Sequence, residues 1–389
     1  MKIGILGGGQ LAMMLSESLA RLGATPVVYD PDPQAPAKNR LRHSITASFE
    51  DKESLKHFFG SCERITYELE SLPLEVLKQN SSKVSFFPDL NILEIAQDRA
   101  KEKSFFVQNQ LPCVKHLVVG PQESLSQAVT AFGLPAIAKT TRGGYDGKGQ
   151  YFLRTAEDAL EAQKTIPQAT WILEEVVEIV AEASCIVARS DNEETVFPVV
   201  ENVHKEHILD RSLVPCRLPQ EINEQIKSLS LKAARALKLK GLLTIEFFVT
   251  RSHPRNQSSG DYQLLLNELA PRPHNSGHLF NRASNLSQFD ALARILTDTP
   301  LGTPTLLPGA YCMGNLLGNV WLKQGRAQGQ LDLTAWKDHP EVVELYLYGK
   351  EKAEAKRKMG HFIVFDSQAD RAFHMAESFR RDLLKDPTA

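Results

Sequence analysis

A chain of 389 residues is too long for one ordinary hydrophobic core and predicts two or three domains. Its 42% hydrophobic and 24% charged residues, with a net charge of −2, match a soluble globular protein and exclude a broad nucleic-acid surface or an acidic tail. Five widely spaced cysteines without C-x-x-C spacing predict reduced thiols, and the absence of a signal-peptide pattern or a bilayer-length apolar run predicts a cytoplasmic, membrane-free protein.

The first hundred residues alternate strand and helix: KIGIL, LAMMLSESLARLG, ATPVVYD, SLKHFFGSC, RITYELE, PLEVLKQN and SKVSFFP. Such alternation predicts an open parallel α/β sheet. Gly7, Gly9 and Ala12 fill the G-x-G-x-x-G/A spacing of a dinucleotide-binding turn, and Asp30 closes the second strand where an acidic residue would grip an adenine ribose. Taken alone, this stretch supports an NAD-dependent oxidoreductase.

The segment NILEIAQDRAKEKSFFVQN reads as one helix leading into a second unit. On it Arg99 and Lys103 share a face, able to reach one phosphate or to pair with Asp98 and Glu102; without context the surface pairing is the stronger reading. From about 115 to 190, the runs HLVV, LPAIAKT, QYFL, TWILEEVV and ASCIVARS predict a small α+β module. Its stretch AKTTRGGYDGKGQ has four glycines in seven residues beside Arg142 and Lys148, a loop whose N–H groups can approach phosphate. It is not a Walker A loop, because Gly149 stands where a Ser or Thr is required. Lys139, on the strand before it, needs an anionic partner. The acidic run WILEEVVEIVAE could hold adenosine or be solvated surface.

A long helix, EINEQIKSLSLKAARALKLK, precedes two apolar strands around a polar loop, a hairpin signature. Glu246 and Glu268 sit in those strands, where an unpaired charge is costly, and together with Asn267 or Asn275 they suit magnesium that also carries phosphates. After Thr299–Pro300 come short strands and the basic run KEKAEAKRK, which alone would be a solvated helix face or loop.

In this order, a helix arginine, a strand lysine, a glycine loop, an acidic strand and two late glutamates resemble the ATP-grasp ligases. GGGQLAMML, TYELES, KTTRGGYDGKGQ, NELAPRPHNSGH and YGK…RKMGH together resemble the 5-(carboxyamino)imidazole ribonucleotide synthase family. The resemblance runs from the first strand to about residue 365. It implies an N-terminal Rossmann-like pre-ATP-grasp domain (1–100), an ATP-grasp domain (101–300, lid about 115–190) and a small C-terminal β-rich domain (301–389), α/β and α+β in class.

That family makes carboxyphosphate from ATP and bicarbonate and transfers the carboxylate to the amine of 5-aminoimidazole ribonucleotide. The resemblance assigns Arg99, Lys139, Gly144, Tyr145, Asp146, Gly147, Lys148, Gly149 and Gln150 to the ATP phosphates. Glu174, Glu175, Val176 and Val177 would line adenine, with Glu182 on the ribose and His204 nearby. Glu246 and Glu268, beside Asn267, would bind magnesium, or manganese in its place. Gln10, Leu11, Glu68, Lys350, Arg357 and Lys358 would hold the ribonucleotide. Tyr145 and Asp146 would meet the aminoimidazole, and Arg272 and His274 would handle bicarbonate and carboxyphosphate. On this reading the glycine-rich opening faces the ribonucleotide rather than NAD, and a homodimer is implied. Ala12-Met13 departs from the Gly-Arg usual there. A formate-dependent ribonucleotide transformylase or a biotin carboxylase-like ligase would share the nucleotide half and differ in the acceptor pocket.

Overall fold

The computed structural model describes residues 1–81, 84–144, 149–251 and 262–384. Strand β1 (Lys2–Leu6) leads through the glycine turn into α1 (Gln10–Arg21), followed by β2 (Thr25–Tyr29), β3 (Ser44–Ile45), α2 (Lys52–Ser61), β4 (Arg64–Tyr67), α3 (Leu74–Asn80) and β5 (Ser85–Phe86). The strands pair in parallel in the order β3-β2-β1-β4-β5, as the alternation predicts. At only two residues, β3 is too short to leave a periodic signal. The order reverses between β1 and β4, so their C-terminal ends flank the crevice where open α/β sheets bind ligands.

The single helix expected over residues 91–109 is two, α4 (Leu90–Ala96) and α5 (Arg99–Gln108). Asp98 breaks them by adopting extended backbone, and its carboxylate accepts from the N–H groups of Ala100 and Lys101. This cap puts Arg99 in the first turn of α5.

The small module contains β6 (His116–Val119), α6 (Leu125–Phe132), β7 (Ala136–Thr140), β8 (Gln150–Leu153), α7 (Ala156–Thr165) and β9 (Trp171–Glu175), its strands antiparallel in the order β6-β9-β7-β8. The run ASCIVARS, expected in this module, belongs instead to β10 (Ile179–Arg189) in the main sheet. There its buried stretch from Ala183 to Ala188 pairs along a ladder far longer than the short module strands could provide.

The main sheet continues with β11 (Glu194–Val196), β12 (Val200–Lys205) and β13 (Ile208–Val214), then α8 (Gln220–Ala236), β14 (Gly241–Arg251) and β15 (Tyr262–Ala270). After α9 (Phe280–Ala283) and α10 (Gln288–Leu296) come β16 (Ala310–Leu317), α11 (Gly318–Lys323), β17 (Val342–Leu347), β18 (Lys358–Asp366) and α12 (Ala369–Leu383). Among the described residues, nine antiparallel strands run β15-β14-β10-β12-β13-β16-β18-β17, with β11 beside β10. The C-terminal strands thus extend the central sheet through the β13–β16 pairing. One sheet face buries Ile186, Ala188 and Leu242 with α1 and α10, and the other buries Cys185, Val187 and Leu243 with α5 and α8. No helix among the described residues is long and apolar enough to cross a membrane.

Candidate active site

At the first turn, Gly9 caps α1 with no side chain of its own. Glu68, just past β4, supplies the missing acceptor: its carboxylate takes the N–H of Gly9 and, at 2.8 Å, that of Ala12. A Cβ on Gly9 would stand 2.6 Å from Glu68 Oε1, so glycine is what admits the carboxylate. Asp30 Oδ2 accepts from the Gly8 N–H at 2.7 Å and is buried, turned into the loop rather than toward a ribose. Glu68 therefore fills the helix N-terminus where a dinucleotide's pyrophosphate would sit, and Asp30 is turned away from a ribose position, so the turn does not suit NAD. Gln10 is half-buried and Leu11 buried beside this turn.

The basic run from Lys350 divides by burial. Glu351, Lys352 and Lys356 are exposed, whereas Lys350, Arg357 and Lys358 are half-buried. Lys350 Nζ donates to the Lys358 carbonyl at 2.7 Å, and Arg357 Nη1 to the Lys352 carbonyl at 2.9 Å. Burial, together with the Arg357 and Lys358 charges, pulls the Lys350 pKa down to about 8, against the pull of Glu68. Burial in turn raises Glu68, with Lys350 among the opposing charges. The C-terminal cations therefore gather opposite the N-terminal glycine turn and are not a solvated helix face.

The second half forms where α5, β7, β9 and the β14–β15 hairpin converge. The surface pairing of Lys103 and Glu102 does not occur, since their exposures are 2% and 3%. Arg99 donates to the carbonyls of Thr140 and Gly144 at 3.0 and 2.9 Å. Lys139 finds its anionic partner in Glu174, at 2.5 Å, with Lys103 3.7 Å from the same carboxylate. Burial opposes the ionised form of Glu174, but the two lysines outweigh it and hold its pKa below the ordinary range. The Glu174 side chain thus points to the lysines, and Glu175, the last residue of β9, accepts from the Lys115 N–H at 2.7 Å. Beyond them Val176 is exposed and Val177 half-buried, two apolar groups able to cover a base. Glu182 and His204 form an ion pair at 2.8 Å. Burial lowers the His204 pKa, but the Glu182 hydrogen bond and charge raise it overall. Tyr145, Asp146, Gly147 and Lys148 lie outside the described residues; Gly149 holds φ +70 and Gln150 opens β8.

Glu246 and Glu268 are register partners across β14 and β15, as the hairpin reading requires, and a bulge after them leaves Asn267 without a partner in the ladder. Adjacent residues of α5 take up the backbone on either side of Glu268: Lys103 Nζ donates to the Asn267 carbonyl and Glu102 Oε1 accepts the Leu269 N–H, both at 2.6 Å. Burial raises the Glu102 pKa to about 8, against the opposing Lys103 charge. Glu268 is exposed to a cavity of about 340 Å³ lined also by Arg99, Glu70, Glu102 and Gly144, with protein packed around that opening. That surrounding, and then the Glu246 charge, push its carboxyl up. Burial works against ionised Glu246, but His274, 3.1 Å away, holds its pKa low. Arg272 pairs with Glu70 at 2.9 Å.

Two close carboxylates of opposed pKa shift fit a hard divalent cation. Among the described residues, no three or more His, Cys, Asp or Glu side chains are arranged to hold a metal by themselves. Magnesium at this hairpin would take its remaining ligands from substrate phosphates.

Glu70, Ser276 and Gln288 also belong to the site, though none stands out in the sequence as Glu246 or Glu268 does. Glu70 had a signal in TYELES, where a second glutamate follows the strand end, whereas the other two look like ordinary polar residues and gain meaning only from contacts.

A Ribonucleotide synthetase preATP-grasp domain model matches residues 1–97, an ATP-grasp domain model 104–289, and a Phosphoribosylaminoimidazole carboxylase C-terminal domain model 312–374. The chain is 36% identical to the N5-carboxyaminoimidazole ribonucleotide synthase of Bacillus subtilis, over 95% of this chain and 92% of that one. It is 35% identical to the bifunctional purine synthesis protein purC/E of Dictyostelium discoideum, where it spans 36% of that longer protein. It is similar, at a TM-score of 0.84 and 26% identity, to the N5-carboxyaminoimidazole synthase of Aspergillus clavatus in complex with ADP and 5-aminoimidazole ribonucleotide, over 99% of both chains.

Proposed function

The chain belongs to the N5-carboxyaminoimidazole ribonucleotide synthase family of ATP-grasp ligases, and from that premise we propose that it carboxylates 5-aminoimidazole ribonucleotide at the expense of ATP and bicarbonate, in purine biosynthesis. A bicarbonate oxygen attacks the γ-phosphorus of ATP, giving carboxyphosphate and ADP. The exocyclic amine then attacks the carboxyl carbon, phosphate leaves, and the amine proton is lost. The observation that carries this reading is the convergence of two charged half-sites at the β4 end. Glu68 there faces Lys350, and Glu70, two residues on, faces Arg272 beside the hairpin carboxylates.

Arg99 and Lys139 hold the transferred phosphoryl oxygens, with Gly144, Gly149 and Gln150 framing the loop that covers them; Glu174 must yield Lys139 when ATP arrives. Backbone groups at Glu174 and Glu175, with Val176 and Val177, take the adenine, and Glu182, oriented by His204, takes the ribose. Glu246 and Glu268, with Asn267 beside them, hold magnesium (or manganese), which supplies neutralisation of phosphate charge. Arg272 and His274 hold bicarbonate and carboxyphosphate. Lys350, Arg357 and Lys358 clamp the ribonucleotide phosphate, while Gln10, Leu11 and Glu68 meet its sugar and base. Tyr145 and Asp146, from the lid, orient the amine. A closed lid protects carboxyphosphate from water. The reading extends to a cytoplasmic homodimer, for which sedimentation should give twice the 43.3 kDa chain mass.

Release of ADP with magnesium and bicarbonate tests the acceptor. Strong stimulation by 5-aminoimidazole ribonucleotide is expected, and ATP turnover indifferent to it would contradict the assignment.

A further inference from the structure

A row of polar side chains crosses the main sheet where apolar packing is otherwise the rule. Ser184 on β10, Asn202 on β12 and Ser212 on β13 come from successive strands. Asn202 is the register partner of Ser212, and Ser184 lies two residues beyond its partner Glu182, so all three share one face. Ser184, Ser212 and Ser276 are fully buried and Asn202 is 4% exposed. Three buried polar groups in such a sheet, and Ser276 in the turn packed on it, are costly unless every one is satisfied.

They satisfy one another in one direction. Ser212 Oγ donates to Asn202 Oδ1 and Asn202 Nδ2 to Ser184 Oγ, both at 2.9 Å. Ser184 Oγ lies 2.8 Å from Ser276 Oγ, which lies 2.8 Å from His274 Nδ1. The Ser276 backbone N–H also donates to His274 Nδ1, at 3.3 Å. A backbone amide only donates, so Nδ1 must present its lone pair and the imidazole proton sits on Nε2, the atom 3.1 Å from Glu246 Oε1. Gln288 fixes the ring's backbone, accepting the His274 N–H at 2.8 Å and donating to its carbonyl at 2.7 Å.

We infer that the chain Ser212–Asn202–Ser184–Ser276 locks His274 as the Nε2–H tautomer, making it a hydrogen-bond donor to Glu246, or in its place to one oxygen of a bound carboxylate or phosphate, and not a proton acceptor. Ser276, Ser184, Asn202 and Ser212 are positioning residues acting through His274. Only the ligand part of this inference rests on the proposed carboxylation; the tautomer does not.

The test is imidazole ¹⁵N NMR of the full-length protein labelled at histidine, with His274→Gln identifying the resonance. The expected spectrum has Nδ1 unprotonated and Nε2 protonated; a protonated Nδ1 would overturn the inference. In kinetics, Ser276→Ala should lower kcat roughly tenfold with KM for ATP unchanged, and Ser276→Thr, which keeps the hydroxyl, should restore most of it. An unchanged kcat in Ser276→Ala would remove the positioning role. Should Ser276→Ala fail to fold, the wild-type spectrum still decides the tautomer. Failure of the carboxylation reading would appear separately, as turnover without bicarbonate dependence.

Discussion

Glu68 fills the slot at the start of α1 that a phosphate would take in a dinucleotide-binding turn. The glycine spacing was legible in the sequence; its occupant was not, because a carboxylate arriving from β4 leaves no trace in the turn itself. Lys350 sets a pH limit at the same scale. With its pKa near 8, it loses its charge as pH rises, while the ribonucleotide phosphate proposed for this site would keep its own. KM for the ribonucleotide should therefore rise above about pH 8, and Lys350→Arg, which stays charged, should flatten that rise in a KM–pH series. Glu268→Gln removes a carboxylate from the hairpin pair and should cut ATP turnover by at least about a hundredfold with the thermal unfolding midpoint retained. Normal turnover by that variant would sink the metal assignment.

The hairpin and α5 work as one element. Strand β15 is the edge of the sheet, and Lys103 and Glu102 take up its backbone groups on either side of Glu268, so α5 contributes Arg99 to the cavity and also holds the Glu268 strand in place. Glu102→Ala leaves the buried Leu269 N–H without a partner, a loss of about 1–3 kcal/mol, whereas Glu102→Gln still accepts and should lose less. Thermal unfolding of the two variants would separate them, and equal midpoints would contradict this role of Glu102. The two apolar strands around a polar loop sufficed to predict the hairpin. The bulge and the inward turn of Lys103 depended on tertiary contact, which is why an exposed helix face looked the better choice. The split between α4 and α5 was available in Asp98, a good N-cap that the continuous apolar pattern outweighed.

At the scale of the molecule, one antiparallel sheet carries the Glu246–Glu268 hairpin at one edge and the C-terminal strands at the other, with the parallel domain set against it. Fold class and domain order were readable because strand–helix alternation and motif order are local. The placement of β10 was not, since its buried run would suit either sheet and only ladder length decides. Helix α12 packs over β16 and β18: Phe379, fully buried, meets Phe362 edge-on at 4.8 Å. Phe379→Ala should cost about 3–5 kcal/mol, seen as a lowered unfolding midpoint, because it opens a cavity over the strand that carries Lys358.

Everything at this joint site turns on ATP activating bicarbonate for the ribonucleotide amine. Turnover in ¹⁸O-labelled bicarbonate with 5-aminoimidazole ribonucleotide follows that oxygen. One labelled oxygen should appear in each inorganic phosphate released, and the remaining label in the carboxylated product. Unlabelled phosphate would mean that water, and not bicarbonate, attacks ATP, and would contradict the carboxyphosphate route.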